Sequence, residues 1–570
     1  MLMVINQGTL ESIPSQYESI LAEKNFSFDT LSIVRAMFGI AVLIFIAWLF
    51  STDRRAISWS TVIKSLAIQI IIAFLVMFVT PVQDFFNFFG SCFIAVLGWT
   101  KAGSEFLFGA FLDTGKFGYI FAFQILPTII FFSAFTSLLF YLGILQKAVW
   151  LFAWLMSRLI KLSGAESLST VANIFVGMNE APLVVKPYIS KMSKSELMLV
   201  MTAGMSTMAG GVLAAYIGML GNGMPEIEIQ FARHLLAASV MAAPGAVVIS
   251  KILVPQTVAV EQDAEISRDR LGANILEAIS IGTVDGLKLA GNVGAMLLVF
   301  YALIAGGNSI IAFLGSFSLI SMLSFCLSAV AGCRIYSILS GKYGRISRYA
   351  LYASGAALVC GMIDIYLKNK YGTQGVLPLP LLTALAGIFS GTLIARIFLR
   401  RNKPSRIRYY ETGFGALSLL FVSLALFHSF GDSINATVSS LTDGRHTELS
   451  MQLILGYVFS PVIWLIGVAI QDVPLVGQLL GQKIILTEFV GYNELSNMIS
   501  ANLFTETKSA IMATYVLCGF ANFASVGIEI GGIGSIAPNQ RATLSIFGMR
   551  ALLGGTLSAL ISAAIVGMMM

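Results

Sequence analysis

Two glutamates, Glu180 and Glu488, lie within strongly apolar sequence. An ionised carboxylate in hydrocarbon costs roughly 3 kcal/mol even on lenient insertion scales, so each needs either a function or a buried cation. Ligand or ion binding is the preferred reading over structural pairing with Lys or Arg; Lys186, six residues beyond Glu180, is expected to snorkel to the membrane interface. Asn522, flanked by Phe520 and Phe523, can donate and accept hydrogen bonds while the rings offer apolar faces to a planar ligand. Ser525 and Thr207 add hydroxyls within Gly-rich stretches, where the competing role is helix packing. Asn173 and Thr207, with a freed carbonyl such as that of Val176, have the oxygen chemistry to cage a small hard cation.

The elements that must hold these groups show on comparing the chain with itself. Residues 175–180 read Phe-Val-Gly-Met-Asn-Glu and residues 489–494 read Phe-Val-Gly-Tyr-Asn-Glu. Each is followed by a polar turn and then a Gly-rich apolar helix, with 24 residues from Glu180 to Gly204 and 25 from Glu494 to Gly519. Matched motif, spacing and texture point to an internal repeat. Asn173, Asn179 and Glu180 in one copy, and Glu488, Asn493 and Glu494 in the other, mark expected breaks in the helices. A chain reversal inside a membrane is tolerated only against protein or a wet cavity. Two re-entrant helical hairpins with discontinuous transmembrane helices are therefore expected, with the site at the repeat interface.

Composition sets the medium. The 570 residues are 57% hydrophobic and only 11% charged, against about 25% charged in soluble domains. Apolar stretches near 33–50, 61–80, 119–142, 197–220, 235–254, 289–314, 378–398, 413–430, 509–530 and 544–569 predict a multi-pass all-α protein with around eight to twelve crossings. The net charge of +6 comes from basic residues gathered in short loops, such as Arg400, Arg401 and Lys403, a positive-inside pattern that argues for cytoplasmic loops and against nucleic acid as a partner. Five scattered cysteines without a CxxC indicate neither a disulfide framework nor a metal centre. No HExxH, GxxxxGK[ST] or Gly-x-Ser-x-Gly occurs, so an enzyme has no anchor in the sequence. His234 is expected to be interfacial or structural, and Asp364 is left between a functional role and the water boundary.

Five blocks carry a resemblance: QILPTIIFFSAFTSLLFYLGILQ from Gln124, GAESLSTVANIFVGMNEAPLVVKPY from Gly164, HLLAASVMAAPGAVVISKILVPQT from His234, GQLLGQKIILTEFVGY from Gly477, and YVLCGFANFASVGIEIGGIG from Tyr515. In their order and spacing they are similar to the concentrative nucleoside transporters, over about 119–310 and 450–570. The resemblance implies a homotrimer whose scaffold holds an elevator-type transport domain made of the two hairpins and broken helices. It implies that Glu488 binds ribose hydroxyls with Asn522 and Ser525, and that Glu180 and Asn179 meet substrate from the first hairpin. Phe520 would lie against sugar and base, and Val212 against the base. The implied sodium ligands are Asn173 and Thr207 with the carbonyls of Val176 and Met208. Many family members read Gly-Gln-Thr-Glu at the first tip, whereas this chain reads Gly177-Met178-Asn179-Glu180. Methionine lacks the amide's paired donor and acceptor, so the base preference is expected to be shifted or broadened.

The expected organisation is a polar N-terminal tail (1–30), an N-terminal transmembrane scaffold (31–160), a first transport repeat (161–260), a scaffold helix (285–315), an inserted set of transmembrane segments (316–445) with an even number of crossings, and a second transport repeat (446–570). The function this implies is symport of nucleosides into the cell across a bacterial cytoplasmic (inner) membrane, with no cofactor. Sodium is the expected coupling ion and the proton the alternative. The partners are substrate, lipid bilayer and two further copies of the chain.

Overall fold

The computed structural model describes residues 17, 20, 30–117, 120–178, 180–221, 223–258, 272–315, 434–441 and 447–570. Asn179, Asp364 and most of the expected insertion lie outside the described residues. Regular structure among the described residues is entirely helical. The helices of eight or more residues run α1 (Thr30–Leu49), α2 (Trp59–Phe78), α3 (Thr80–Phe108), α4 (Leu126–Tyr141), α5 (Ile144–Ile160), α6 (Gly164–Phe175), α7 (Lys194–Ser206), α8 (Gly210–Gly221), α9 (Pro225–Leu253) and α10 (Ile275–Gly315). They continue as α11 (Ile434–Leu441), α12 (Met451–Leu465), α13 (Val473–Ile485), α14 (Glu488–Ser500), α15 (Thr507–Leu517), α16 (Phe523–Ile536) and α17 (Arg541–Gly567). The chain forms two compact units, Met1–Ala302 with Gln452–Met570, and Leu303–Met451. In the second, Asn435 donates to the Ala312 carbonyl at 3.0 Å and accepts from the Leu449 amide at 2.9 Å, while Asn308 accepts from the Met451 amide at 2.9 Å.

Seven helical segments among the described residues are long and apolar enough to cross a membrane: Ser32–Leu49, Trp59–Phe78, Thr80–Leu112, Phe121–Tyr141, Pro225–Leu253, Ile275–Phe313 and Pro538–Gly567. Thr80–Leu112 was not among the expected spans, because Gln83, Asp84, Asn87, Lys101 and Glu105 dilute its hydropathy. Burial separates these segments into two kinds. Within the first unit, α9 and the segment ending in α17 are 89% and 83% buried, whereas the four N-terminal spans are 11% to 33% buried. The outer spans present Phe88, Trp99 and Phe106 outward, faces that are stable only against lipid or further protein. The inner pair forms the core: α9 packs on α2, α3, α7, α8 and α17, and α17 also packs on α7, α15 and α16.

The expected spans at 197–220 and 509–530 are each broken in two. α7 stops at Ser206, Thr207 turns extended (φ −102°, ψ 166°), and α8 begins at Gly210. α15 stops at Leu517, and α16 begins at Phe523 behind the extended Asn522. The element order repeats around these breaks: a helical pair, a broken helix, then a long buried helix. α13 packs on α14 in the second copy; in the first, α6 packs on the short helix Ala181–Val184 beyond its tip. Two Ser-x-x-Glu capping boxes start α6 and α7, with Ser163 and Ser193 bonded reciprocally to Glu166 and Glu196.

Glycine lets the two breaks meet. Gly519 has φ +85°, and a Cβ there would lie 2.5 Å from the backbone of Met205 and Ser206. Gly519→Ala combines a strained φ with a clash against backbone, each costing about 1 kcal/mol or more. The expected result is a melting temperature in detergent several degrees below wild type, with weaker ligand binding; an unchanged melt would show that the breaks separate without cost.

Candidate functional site

Glu488 is the first residue of α14, where the helix dipole favours an anion. It is 3% exposed. Its Oε1 accepts from the Tyr216 hydroxyl at 3.0 Å, and its Oε2 accepts from Asn522 Nδ2 at 2.9 Å. Asn522 is fixed in turn, because its Oδ1 accepts the Ser525 amide at 2.8 Å and caps α16. Tyr216 stacks on Tyr492 at 4.1 Å between centroids and meets Phe489 edge-on at 4.9 Å. The Tyr492 hydroxyl donates to the Thr514 carbonyl at 2.9 Å. Thus a carboxylate from the second hairpin is held by a tyrosine that follows the first break and an asparagine that closes the second. A carboxylate offers about four lone-pair sites; these two bonds leave acceptor capacity on both oxygens for a ligand's hydroxyl pair.

Sequence reasoning missed Tyr216, and it also missed Lys483. That lysine is 0% exposed, and its ammonium donates to the carbonyls of Cys518 at 2.6 Å and Val516 at 3.0 Å. It satisfies the carbonyls that the end of α15 leaves without an intrahelical partner, joining the second hairpin to the second break. A charged residue inside the apolar run Gln482-Lys483-Ile484-Ile485 was the available signal. A further buried pair was also overlooked: Lys251 at the end of α9 donates to Glu166 at 2.6 Å and to Ser195 Oγ at 3.1 Å, which ties the starts of α6 and α7 together.

The first hairpin tip lies against the first break. Gly177 has φ +109°, and a Cβ there would meet Ala209 and the Glu180 carboxylate; a Cβ on Gly210 would meet the Phe175 carbonyl. Asn173 is buried and donates through Nδ2 to the Ser169 carbonyl at 3.0 Å, but its Oδ1 has no partner among the described residues. Thr207 donates its hydroxyl to the Ala203 carbonyl at 2.9 Å, leaving its oxygen lone pairs free to accept. A buried, unused amide oxygen beside a helix break fits a hard cation's demand for oxygen ligands. Val176 and Met208 flank the same junction; the Met208 sulfur accepts from the Tyr492 hydroxyl at 3.5 Å, which links this end to the Glu488 network. Met178 is half-buried, Glu180 is exposed, Val212 is buried in the first turn of α8, and Phe520 is half-buried within the second break.

Four sequence expectations meet the structure here. The matching hexapeptides are not structurally equivalent: 175–180 forms a tip, whereas 489–494 lies inside α14. The second tip is Leu486–Thr487, just before Glu488. Asn493 and Glu494 therefore do not mark a break; Asn493 donates to the Tyr301 hydroxyl at 3.1 Å and Glu494 accepts from Gln478 at 3.3 Å. His234, expected to be interfacial or structural, is buried with its Nδ1 3.1 Å from the Tyr515 hydroxyl. Lys186 is exposed.

Apolar helices wrapped around a broken-helix core with buried polar groups define a multi-pass membrane protein. Sequence comparison gives the family. The profile of the Na+ dependent nucleoside transporter C-terminus matches residues 234–339 and 408–567, that of its N-terminus matches 38–111, and a nucleoside recognition profile, Gate, matches 122–223. An uncharacterized transporter of Haemophilus influenzae is 32% identical over 94% of this chain and 98% of its own length. Nucleoside permease NupC of Helicobacter pylori is 29% identical over 93% of this chain and 96% of its own. A structure of CNTnw in an inward-facing substrate-bound state aligns with a TM-score of 0.66 at 30% identity, covering 94% of this chain and 99% of that one. The chain belongs to the concentrative nucleoside transporter family, and it is a transporter rather than an enzyme.

Proposed function

We propose that this chain is a sodium-coupled symporter that moves nucleosides into the cell by alternating access. The observation that carries the reading is Glu488, buried and oriented by Tyr216 and Asn522 with acceptor capacity to spare, a receptor for the vicinal hydroxyls of ribose. Asn522 and Ser525 complete the sugar contacts. Phe520 and Val212 supply apolar surface to sugar and base, and Met178, Asn179 and Glu180 meet substrate from the first tip. Sodium is held by Asn173, Thr207 and the carbonyls of Val176 and Met208. The helical pairs act as re-entrant hairpins of a transport domain that moves as an elevator against a trimerising scaffold in the cytoplasmic membrane. A neutral nucleoside has no charge to drive its accumulation, so the cation supplies the energy: one charge crossing 100 mV contributes roughly 2.3 kcal/mol, enough for about fifty-fold accumulation.

Cation binding at the first tip would order it and raise substrate affinity by linkage. Purified protein in sealed proteoliposomes tests this with labelled uridine and adenosine under separately imposed sodium and proton gradients. Saturable uptake driven by sodium is expected, and uptake driven by the proton gradient alone would overturn the coupling assignment. In Asn173→Ala, the sodium concentration for half-maximal uptake should rise about tenfold or more while the fold is retained, since Oδ1 makes no internal bond. An unchanged sodium dependence would remove Asn173 from the cation site.

A further inference from the structure

The mechanism leaves one buried carboxylate unused. Glu529 is 1% exposed, and neither of its oxygens has a hydrogen-bond partner among the described residues. It lies on α16 one turn beyond Ser525, on the helix face that carries Asn522 and Ser525. Its carboxylate fills the space beside Gly204 of α7: a Cβ at residue 204 would collide with Oε1, and the same Cβ would sit 2.9 Å from the Cβ of Met178. Glu529 thus reaches the first hairpin tip from the second repeat, beside the half-buried Met178.

A buried carboxylate with both oxygens idle is costly unless something satisfies it. Protonation alone does not, because the new O–H would still need an acceptor. Two parallel N–H donors would satisfy both oxygens at once. The Met178 side chain offers a base edge no donor and only a weak sulfur acceptor and, being unbranched, can swing aside. Among the common nucleobases, guanine alone presents two adjacent donors, N1–H and the 2-amino group. Hypoxanthine and uracil present one ring N–H, whereas adenine and cytosine present an amino group beside a ring acceptor.

Resting on the nucleoside reading above, we propose that Glu529 is a specificity-determining residue that reads the N1–H and 2-amino edge of guanine, so that the transporter prefers guanosine. The test is uptake of guanosine, inosine, adenosine and uridine by wild type and Glu529→Gln in proteoliposomes, with monodispersity and melting temperature recorded for both. Wild type should favour guanosine over adenosine by roughly tenfold or more, the scale of one bidentate base contact. Inosine should fall between them. Glu529→Gln presents one donor and one acceptor, complementary to adenine, and should abolish or reverse the guanosine-to-adenosine ratio. A measurement on wild type alone guards against a misfolded variant: 1-methylguanosine, which lacks N1–H, should compete with guanosine uptake roughly tenfold less well than unlabelled guanosine. Nucleoside uptake without guanosine preference, or an unchanged ratio in folded Glu529→Gln, overturns the proposal and leaves the nucleoside reading intact. An unchanged ratio with altered sodium or proton dependence assigns Glu529 to ion coupling instead, and also overturns it. Absence of saturable uptake of all four nucleosides overturns both readings.

Discussion

A Glu488→Gln variant is expected to fold and to lose nucleoside transport. Glutamine has the shape of glutamate, and the site can absorb the change in one way. Its amide oxygen faces Asn522 Nδ2, which cannot turn round because Asn522 Oδ1 caps α16. Its amide nitrogen then faces Tyr216, whose hydroxyl rotates to accept. The internal bonds survive while the negative charge is lost. Hydrogen bonds to a charged group contribute about 1.5–3 kcal/mol each, so losing the charge under two ribose hydroxyls should weaken binding by roughly 30-fold or more. Calorimetric or scintillation-proximity binding checks the number, and 2′- and 3′-deoxynucleosides check its origin: they should bind poorly to wild type and lose little further in the variant. A variant that binds ribonucleosides as wild type does would remove Glu488 from the sugar site.

The second large effect is expected at Lys483. Lys483→Met keeps most of the stem but withdraws the ammonium from the Val516 and Cys518 carbonyls. Both acceptors then lose their cation inside a buried break, and opening one side of a buried charged network costs about 3 kcal/mol or more. Because the same break carries Asn522, the loss should reach the Glu488 site. A melting temperature in detergent many degrees below wild type, accompanied by abolished uptake, is the expected outcome. Lys483→Met with a wild-type melt and near-normal uptake would show that the break is held by packing alone. The two variants separate two kinds of failure, Glu488→Gln abolishing function in a sound fold and Lys483→Met weakening the fold that positions the site.

What could be read in advance follows from how local each signal is. Long apolar runs such as 33–50 and 235–254 appeared as membrane-spanning helices because hydropathy over some 20 residues survives any tertiary arrangement. Glu488 and Asn522 could be singled out because a polar side chain in apolar sequence is conspicuous by itself, and the fold joins the two at 2.9 Å. The partner Tyr216 was not, since a tyrosine among Ala215 and Ile217 looks like packing until the chain folds and brings residue 488 to it. The hexapeptide repeat pointed to a real recurrence of elements yet misaligned it by a few residues. The shared letters at 175–180 and 489–494, which differ only at Met178 and Tyr492, answer to different constraints, the end of one helix and the interior of another. Thr80–Leu112 escaped notice because polar residues along it lower the average that the eye follows. Local signals also went unused: the Ser-x-x-Glu boxes at 163–166 and 193–196 mark two helix starts without tertiary information.

The Lys251–Glu166 pair bears on how the protein is made. The two charges are 85 residues apart in sequence and almost wholly buried, 5% and 1% exposed at the side chain. Either one released alone into lipid would meet a penalty of roughly 3 kcal/mol on insertion scales. During synthesis α6 emerges first, carrying a carboxylate whose counter-ion has yet to be translated. Until α9 arrives, that carboxylate is better served by water at the start of α6 than by lipid. Closure of the first repeat therefore waits for α9, whose Lys251 completes the pair with Glu166 and with it the junction between the starts of α6 and α7.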